Sequence, residues 1–272
     1  MAPTGGDELH RAIEAHPWYH SIELAPGVVT PGWFDTRAVA SRLPLPPDLS
    51  GARCLDIGTF DGFWAFEMER RGAAEVLAID VLDPRQWDWP VGSDDAVVAA
   101  IGERKSGGSG FETAHRALGS RVARHELNVY DLGPDLGTFD FVYVGSILLH
   151  LRDPVRALER VASVCTGSAL IVDAVDIVLS KLFPRRACAG FDGIGRPWWW
   201  KPNTAALGRM VEAAGFDIVD GPTSFFMPRG AGQIVGRPQW RELRNRAGVD
   251  AFVEHRWGDP HASLVATVRA PR

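Results

Sequence analysis

From residue 51 onwards, short apolar runs alternate along the chain with stretches that repeat apolar residues at helical spacing. The runs are rich in branched apolar residues, as buried strands are, and they are Arg53–Ile57, Val76–Asp80, Val122–Leu127, Phe139–Val144, Ala169–Ala174, Phe216–Val219 and Leu264–Val268. Helical spacing is clearest over Gly62–Arg71, Pro154–Val164 and Asn203–Ala214. This alternation predicts an α/β fold with a seven-stranded, mostly parallel sheet and helices on both faces.

Residues 1–50 follow a different pattern, in which aromatic and proline residues separate two short helical stretches near Asp7–Ala15 and Asp35–Leu43. The proline-rich segment LPLPPDLSG then stops the second helix. We therefore expect an aromatic N-terminal cap over residues 1–50 and a main domain over residues 51–272. Two stretches of the main domain, about 83–120 and 176–202, are too long for plain connections, so we expect insertions there.

Composition narrows the class of protein. The chain has 272 residues, of which 46% are hydrophobic, so it can bury a full core. It lacks both the roughly 20 consecutive apolar residues of a membrane-spanning helix and a signal-peptide pattern at its start, so we expect a cytoplasmic protein without a membrane contact. The formal net charge of −5 provides no basic field for a polyanion, which makes nucleic acid an unfavoured partner.

The segment CLDIGTFDGFWAF, residues 54–66, joins a buried strand to a helix through a glycine turn. Gly58 and Gly62 let a ligand approach the backbone without meeting a Cβ atom, and the helix start offers free amides. A nicotinamide site would contain G-x-G-x-x-G, whereas these two glycines lie four apart, which disfavours a pyrophosphate ligand. An acid, Asp80, ends the next strand, and Asn128 follows the third.

This collinear set resembles the D-x-G-x-x-x-G loop and the following acid of the class I S-adenosylmethionine (SAM)-dependent methyltransferases. The segment FDFVYVGSILLHLRDPVRALERV is similar to the post-strand segment of the same superfamily. The resemblance implies a Rossmann-like fold with SAM as the cofactor, bound through Asp56 near its amino end, Asp80 on the ribose and Val81 on the adenine. The other residues that it places against SAM are Gly58, Thr59, Phe60, Asp61, Gly62, Asn128, Val129, Gly145 and Ser146.

A closer resemblance is carried by HPWYHSIEL, PGWFD and LDIGTFDGFWAFEMERRGA, which look like the branch of bacterial tRNA wobble-uridine (carboxy)methyltransferases. Because the RNA-modifying members have longer chains and basic surfaces, we expect a small-molecule relative that acts in secondary metabolism. No Lys or Arg can be placed beside the transferred group from sequence, which favours plain SAM over a carboxylated form. A tRNA-modifying methyltransferase and a non-catalytic SAM-binding module remain the alternatives.

Methyl transfer requires a nucleophile held in line with the sulfonium carbon, and a hydroxyl acceptor also requires a base. His150 is the predicted base, because it follows the fourth strand at the carboxyl edge of the sheet. Its leucine neighbours equally fit a histidine that only supports the fold. Asp173, Asp176 and Asp192 lack a diagnostic metal-ligand spacing, so we expect no metal.

Acceptor binding is predicted for two groups of residues. Tyr19 and His20 belong to the cap, which can fold over the cofactor. Arg196, Trp198 and Trp199 belong to the second insertion, where a cation and aromatic faces can meet an anionic group, a ring or a sugar. The same aromatic residues would also suit the interface of a homodimer.

Overall fold

The structure is a computed structural model, and it describes residues 5–191, 198–233, 244 and 246–270. The N-terminal region contains six short elements: α1 (Gly5–Glu14), β1 (Trp18–His20), β2 (Glu23–Ala25), β3 (Val28–Val29), β4 (Gly32–Phe34) and α2 (Arg37–Ala40). Strand β1 pairs in parallel with β4, and β2 pairs antiparallel with β3. This region is therefore made of small two-stranded sheets between two helices.

The central sheet has seven strands, which confirms the predicted architecture. Its strands are β5 (Arg53–Ile57), β6 (Glu75–Asp80), β7 (Ala123–Glu126), β8 (Phe139–Gly145), β9 (Cys165–Ala174), β12 (Phe216–Met227) and β13 (Asp259–Val268). Their order is β12-β13-β9-β8-β5-β6-β7. The strands from β9 to β7 run in parallel, and β13 is antiparallel to both β9 and β12.

Helices connect the strands and cover the sheet. They are α3 (Phe63–Arg70), α4 (Asp95–Lys105), α5 (Ser109–Leu118), α6 (Pro154–Val164), α7 (Ile177–Leu182), α8 (Thr204–Ala213) and α9 (Arg246–Trp257), and a hairpin of β10 (Ala189–Phe191) and β11 (Trp200–Pro202) precedes α8. Within the described ranges, no helix is both long and apolar enough to span a membrane.

Alternate residues of the central strands face two separate cores. Cys54 and Tyr143 belong to one core, together with residues of α3, α5 and the N-terminal region. Leu55 and Val142 belong to the other, together with residues of α6 and α8. Side chains alternate between the two faces of a strand. Because a core covers each face of the central strands, positions on both faces are apolar, which explains the continuous apolar runs in the sequence.

The structure extends one predicted strand and fills one predicted insertion with helices. Strand β12 continues eight residues beyond the predicted end at Val219, because the pairing with β13 resumes after register shifts on either side of Asp220. Residues 83–120 contain the two helices α4 and α5, joined by a tight turn in the segment KSGGSG. Both features place additional side chains at the carboxyl edge of the sheet.

Candidate active site

The glycine turn after β5 forms the floor of a cavity at the carboxyl edge of the sheet. Gly58 has a φ of +76°, and a Cβ atom there would lie 3.2 Å from Ile147 Cδ1. Phe60 adopts a left-handed φ of 50°, which is uncommon for a residue with a side chain. Its amide donates a hydrogen bond to Asp80 Oδ2 at 2.7 Å. The turn is therefore held by the acid that ends the neighbouring strand.

Asp80 is buried and accepts hydrogen bonds from three groups of the chain. Besides the amide of Phe60, these are the amide of Val81, at 2.8 Å, and the ammonium of Lys105. Lys105, at the end of α4, is only 2% exposed, so this is a buried ion pair. Its partner Asp80 lines the cavity, and a carboxylate in that position can bind sugar hydroxyls.

The cavity has a volume of about 380 Å³. Of the residues predicted to bind the cofactor, the structure brings together along its wall Gly58, Phe60, Asp80, Val81, Asn128, Val129, Gly145 and Ser146. The remaining four, Asp56, Thr59, Asp61 and Gly62, are not among the lining residues. The Asn128 side chain accepts from the amide of Tyr130 at 3.0 Å, so it also caps the turn that follows β7.

Asp61 connects the cofactor loop to the N-terminal region. Its Oδ2 atom accepts from the amides of Tyr19, at 2.6 Å, and His20, at 2.9 Å. Burial raises the pKa of Asp61 to about 7, against the effect of these two hydrogen bonds. Burial also raises the pKa of Asp56 to about 7, and its Oδ2 atom has no hydrogen-bond partner. Neither acid lines the cavity, and Asp61 holds the loop against the N-terminal region.

The predicted base, His150, lines the cavity in a short turn after β8. Its ring centroid lies 6.4 Å from that of Trp87. The turn is held from β9, because Asp173 accepts a hydrogen bond from the amide of Leu148 at 2.7 Å. Asp173 thus has a structural use, and among the described residues no group of three or more His, Cys, Asp or Glu side chains could hold a metal ion.

The structure places some of the predicted acceptor-binding residues in the cavity and others outside it. Tyr19, His20 and Trp198 line the cavity, and the Tyr19 ring stacks on Phe60 with centroids 4.6 Å apart. Trp199 does not line it, because its indole donates to the carbonyl of Asp88. Arg196 lies outside the described residues. Burial lowers the pKa of His20 to about 3, so this imidazole is neutral at physiological pH.

Sequence reasoning missed a second histidine of the cavity, His261 at the start of β13. It is 2% exposed, and its Nε2 atom lies 2.9 Å from the hydroxyl of Ser146. Its Nδ1 atom lies 3.0 Å from the carbonyl of Asp259. Because a carbonyl only accepts, this network assigns the proton to Nδ1 and leaves Nε2 as an acceptor. No local signal in the sequence marked His261, because it lies before the predicted last strand, Leu264–Val268, and next to other polar residues.

Three cations besides Lys105 were also missed. Arg104 precedes Lys105 in α4, and its guanidinium lies 3.5 Å from the ring centroid of Trp33. Lys201 lies 3.9 Å from Glu254, and Arg229 donates to the carbonyl of His255. Arg104, Lys201 and Arg229 all line the cavity. They come from three distant segments, so no local motif marks them.

The family of the chain follows from its sequence as a whole. A family model described as a methyltransferase domain matches residues 33–220. Because this match covers more than half of the chain, the chain belongs to that family. The predicted class of enzyme, a methyltransferase, and SAM as its cofactor are confirmed at the level of the family.

Among curated proteins, the chain is similar to tRNA U34 carboxymethyltransferases. It is 28% identical to the one from Campylobacter hominis over 174 residues, which are 62% of this chain and 52% of that relative. It is 26% identical to the one from Geobacter sp. over 218 residues, which are 77% of this chain and 59% of that relative. The chain spans about half the length of the curated relatives it matches.

Among solved structures, the N-terminal domain of EvdMO1 with S-adenosylhomocysteine (SAH) bound aligns over 98% of both chains, with a TM-score of 0.54 and 16% identity. The same domain in the presence of SAH and D-fucose aligns over 97% of both chains, with a TM-score of 0.52 and 17% identity. At these identities the likeness concerns the fold, and it agrees with the predicted Rossmann-like arrangement.

Proposed function

We propose that this chain binds SAM along the wall formed by the glycine turn and Asp80, and transfers its methyl group to a hydroxyl or amine of a small natural-product intermediate. One observation carries this proposal. The predicted cofactor residues at the ends of β5, β6 and β8 share a single cavity with Tyr19 and His20 from the N-terminal region and with His261 from the last strand. Donor and acceptor can therefore meet in a space that the chain itself encloses.

The residues fit the cofactor at two points. Gly58 leaves the floor of the cavity open, because a side chain there would fill it against Ile147. Asp80 presents a carboxylate to the cavity at the position that suits a ribose. SAM supplies an activated methyl group, so the chain has to orient the acceptor and exclude water, which is catalysis by positioning.

The far side of the cavity suits a small polar acceptor with a sugar or cyclic scaffold. Trp33 and Tyr19 contribute aromatic faces, and Arg104, Glu254 and Asp259 contribute charged groups. Aromatic faces beside polar groups are the usual means of binding a sugar ring, since its faces are apolar and its edges carry hydroxyls. The solved EvdMO1 domain studied with D-fucose makes that sugar a reasonable first probe.

A hydroxyl acceptor would need a base, and two histidines of the cavity can serve. His150 is the base predicted from sequence. The carbonyl of Asp259 fixes the tautomer of His261, and its Nε2 lone pair, which accepts from the hydroxyl of Ser146, can take a proton when the hydroxyl of an acceptor replaces that contact. We favour His261 on this geometry, and keep His150 as the alternative.

Titration with SAH tests the cofactor half of the proposal. We expect saturable micromolar binding by calorimetry and a rise in the melting temperature, since a ligand that binds the folded state stabilises it. The acceptor half is tested with radiolabelled SAM and a panel of deoxyhexoses, beginning with D-fucose. Absence of both heat and thermal shift with SAH would contradict the proposal before any acceptor is sought.

A tRNA-modifying activity is the alternative that the curated relatives favour. Against it stands the formal net charge of −5, which provides no basic field for a phosphate backbone. Binding of labelled tRNA that weakens steeply with salt would favour this alternative. A non-catalytic SAM-binding module would bind SAH but methylate no acceptor. The homodimer and the cytoplasmic location remain predictions.

A further inference from the structure

The carboxylate of Asp80 is almost fully occupied by donors of the chain itself. Its Oδ2 atom accepts from the amide of Phe60 and the ammonium of Lys105, and its Oδ1 atom accepts from the amide of Val81. A carboxylate offers about four acceptor positions, so three bonds leave about one. Bidentate binding of the two ribose hydroxyls requires two.

We propose that Lys105 competes with the ribose hydroxyls of the cofactor for Asp80, and must release this carboxylate when the cofactor binds. The inference rests on the proposed function, which assigns Asp80 to the ribose. The two amide donors belong to the backbone of the turn and the strand end, so they cannot leave without unfolding the site. The Lys105 side chain is the donor that can move.

Helix α4 is built in a way that allows this movement. Lys105 is its last residue and its one buried residue. The following residues Ser106, Gly107 and Gly108 adopt left-handed φ values of 46°, 57° and 85°. Such a turn is easily rotated where glycine provides it, because no Cβ atom restricts the backbone. The ion pair with Asp80 therefore holds the end of α4 at the cavity, together with the contact between the Lys105 ammonium and the Phe60 ring, whose centroid lies 4.2 Å away.

The surroundings of Lys105 explain why its charge is placed there and how it could be replaced. Three buried acids face it, namely Asp56, Asp61 and Asp80, and a buried carboxylate is costly without a nearby positive charge. SAM and SAH both bring an ammonium to the same wall, and SAM adds a sulfonium. When the cofactor takes the place of the Lys105 ammonium, a positive charge thus stays beside these acids, and the displaced ammonium becomes hydrated.

Substitution of Lys105 by methionine tests the competition. Methionine keeps a flexible apolar stem but cannot bind the carboxylate. We expect Lys105→Met to bind SAH at least about fivefold more tightly than the unmodified chain, the lower end of typical coupling between two linked events. Lys181→Met, which removes an exposed lysine outside the cavity, is the matched control and should change the affinity less than twofold. Equal or weaker binding by Lys105→Met would overturn the inference.

A second measurement uses the unmodified chain, in case the variant does not fold. The chain has three lysines, Lys105, Lys181 and Lys201. Reductive dimethylation followed by mass spectrometry reports the reactivity of each. We expect Lys105 to be protected without ligand and to react at least about fivefold faster with saturating SAH, as its coupling to the ligand requires, while Lys181 stays constant. Continued protection of Lys105 with SAH bound would also overturn the inference. Failure of the unmodified chain to bind SAH would instead contradict the proposed function.

Discussion

The two sides of the cavity are built in opposite ways. The proposed cofactor side consists of strand ends that lie next to one another in the sheet, and its key contacts involve backbone groups, as between Phe60 and Asp80. The proposed acceptor side is assembled from the N-terminal region, α4, β11, α9 and β13. Its key contacts are between side chains, as between Arg104 and Trp33.

This difference explains how one fold can keep its cofactor and change its acceptor. Backbone contacts at parallel strand ends are fixed by the sheet and tolerate few changes. Side chains contributed by distant segments can be replaced individually without disturbing the sheet. We therefore expect substitutions of residues that contact only the acceptor to alter methyl transfer without altering SAH affinity, and substitutions of residues that contact the cofactor or Asp80 to alter SAH affinity.

The largest effect should come from His261→Gln. If His261 takes the proton of a hydroxyl acceptor, kcat should fall by about 10²- to 10⁴-fold, while the SAH affinity measured by calorimetry stays within twofold. His150→Gln is the matched variant and should have a much smaller effect. A larger fall in kcat for His150→Gln would show instead that the base is the one predicted from sequence.

Asp80→Asn should weaken SAH binding by about tenfold or more, because a hydrogen bond to a charged group contributes about 1.5–3 kcal/mol. The same substitution also leaves Lys105 buried without its acid, so thermal unfolding should be recorded on the same sample. Asp135→Asn, at an exposed acid far from the cavity, is the control. Unchanged SAH affinity in a folded Asp80→Asn protein would remove Asp80 from the cofactor site.

The buried carboxylate of Asp61, which connects the cofactor loop to the N-terminal region, should make the stability of the chain depend on pH. Its pKa in the folded chain is raised to about 7 from the ordinary value near 4. At a pH between these two values, Asp61 binds fewer protons in the unfolded chain than in the folded chain. The contribution of Asp61 to the free energy of unfolding therefore decreases as pH rises, and the decrease ends above pH 7.

Urea unfolding at pH 5, 6, 7 and 8 checks this prediction. Between pH 5 and pH 7, the free energy of unfolding should decrease by about 1–3 kcal/mol more in the unmodified chain than in Asp61→Asn, since one pKa unit corresponds to about 1.4 kcal/mol. Above pH 7 the two curves should run in parallel. Parallel curves over the whole range would mean that Asp61 is ionised in the folded chain.

The smallest effect should come from Arg104→Gln on the acceptor side. Its guanidinium stacks on Trp33, and loss of this cation–π contact and of its charge should raise the KM of the acceptor by about threefold to tenfold. The SAH affinity should not change, even though the neighbouring residue Lys105 binds Asp80. A change in SAH affinity would mean that the two sides are not separable at α4.

Much of the fold could be predicted because each central strand carries its own signal. The runs VLAI, residues 76–79, and FVYV, residues 141–144, contain almost no polar residue, which requires cover on both faces of each strand. The extension of β12 beyond Val219 could not be predicted in this way. The residues DGPTSF interrupt the apolar pattern, and they stay in the sheet because β13 pairs with them.

The residues of the candidate site also differ in whether a local sequence signal could place them. Gly58 and Asp80 could be placed from sequence because short spacing fixes them to strand ends, and strand ends of a parallel sheet share one edge. Lys105 and His261 carried no local signal, since a lysine at a helix end and a histidine in a strand are ordinary features. Only their contacts with Asp80 and Ser146 give them a function to test.

The sequence by itself determined the succession of the seven central strands along the chain, the family of the chain and the turn that would hold the cofactor, because these depend on short-range spacing of apolar residues and glycine. The tertiary structure alone decided which side chains face that turn. Charges and hydrogen-bond partners that lie from 25 to 115 residues apart, as in Lys105 with Asp80 and Ser146 with His261, meet only when the sheet and its cover are in place. Their proximity is a property of packing, which no spacing along the chain records.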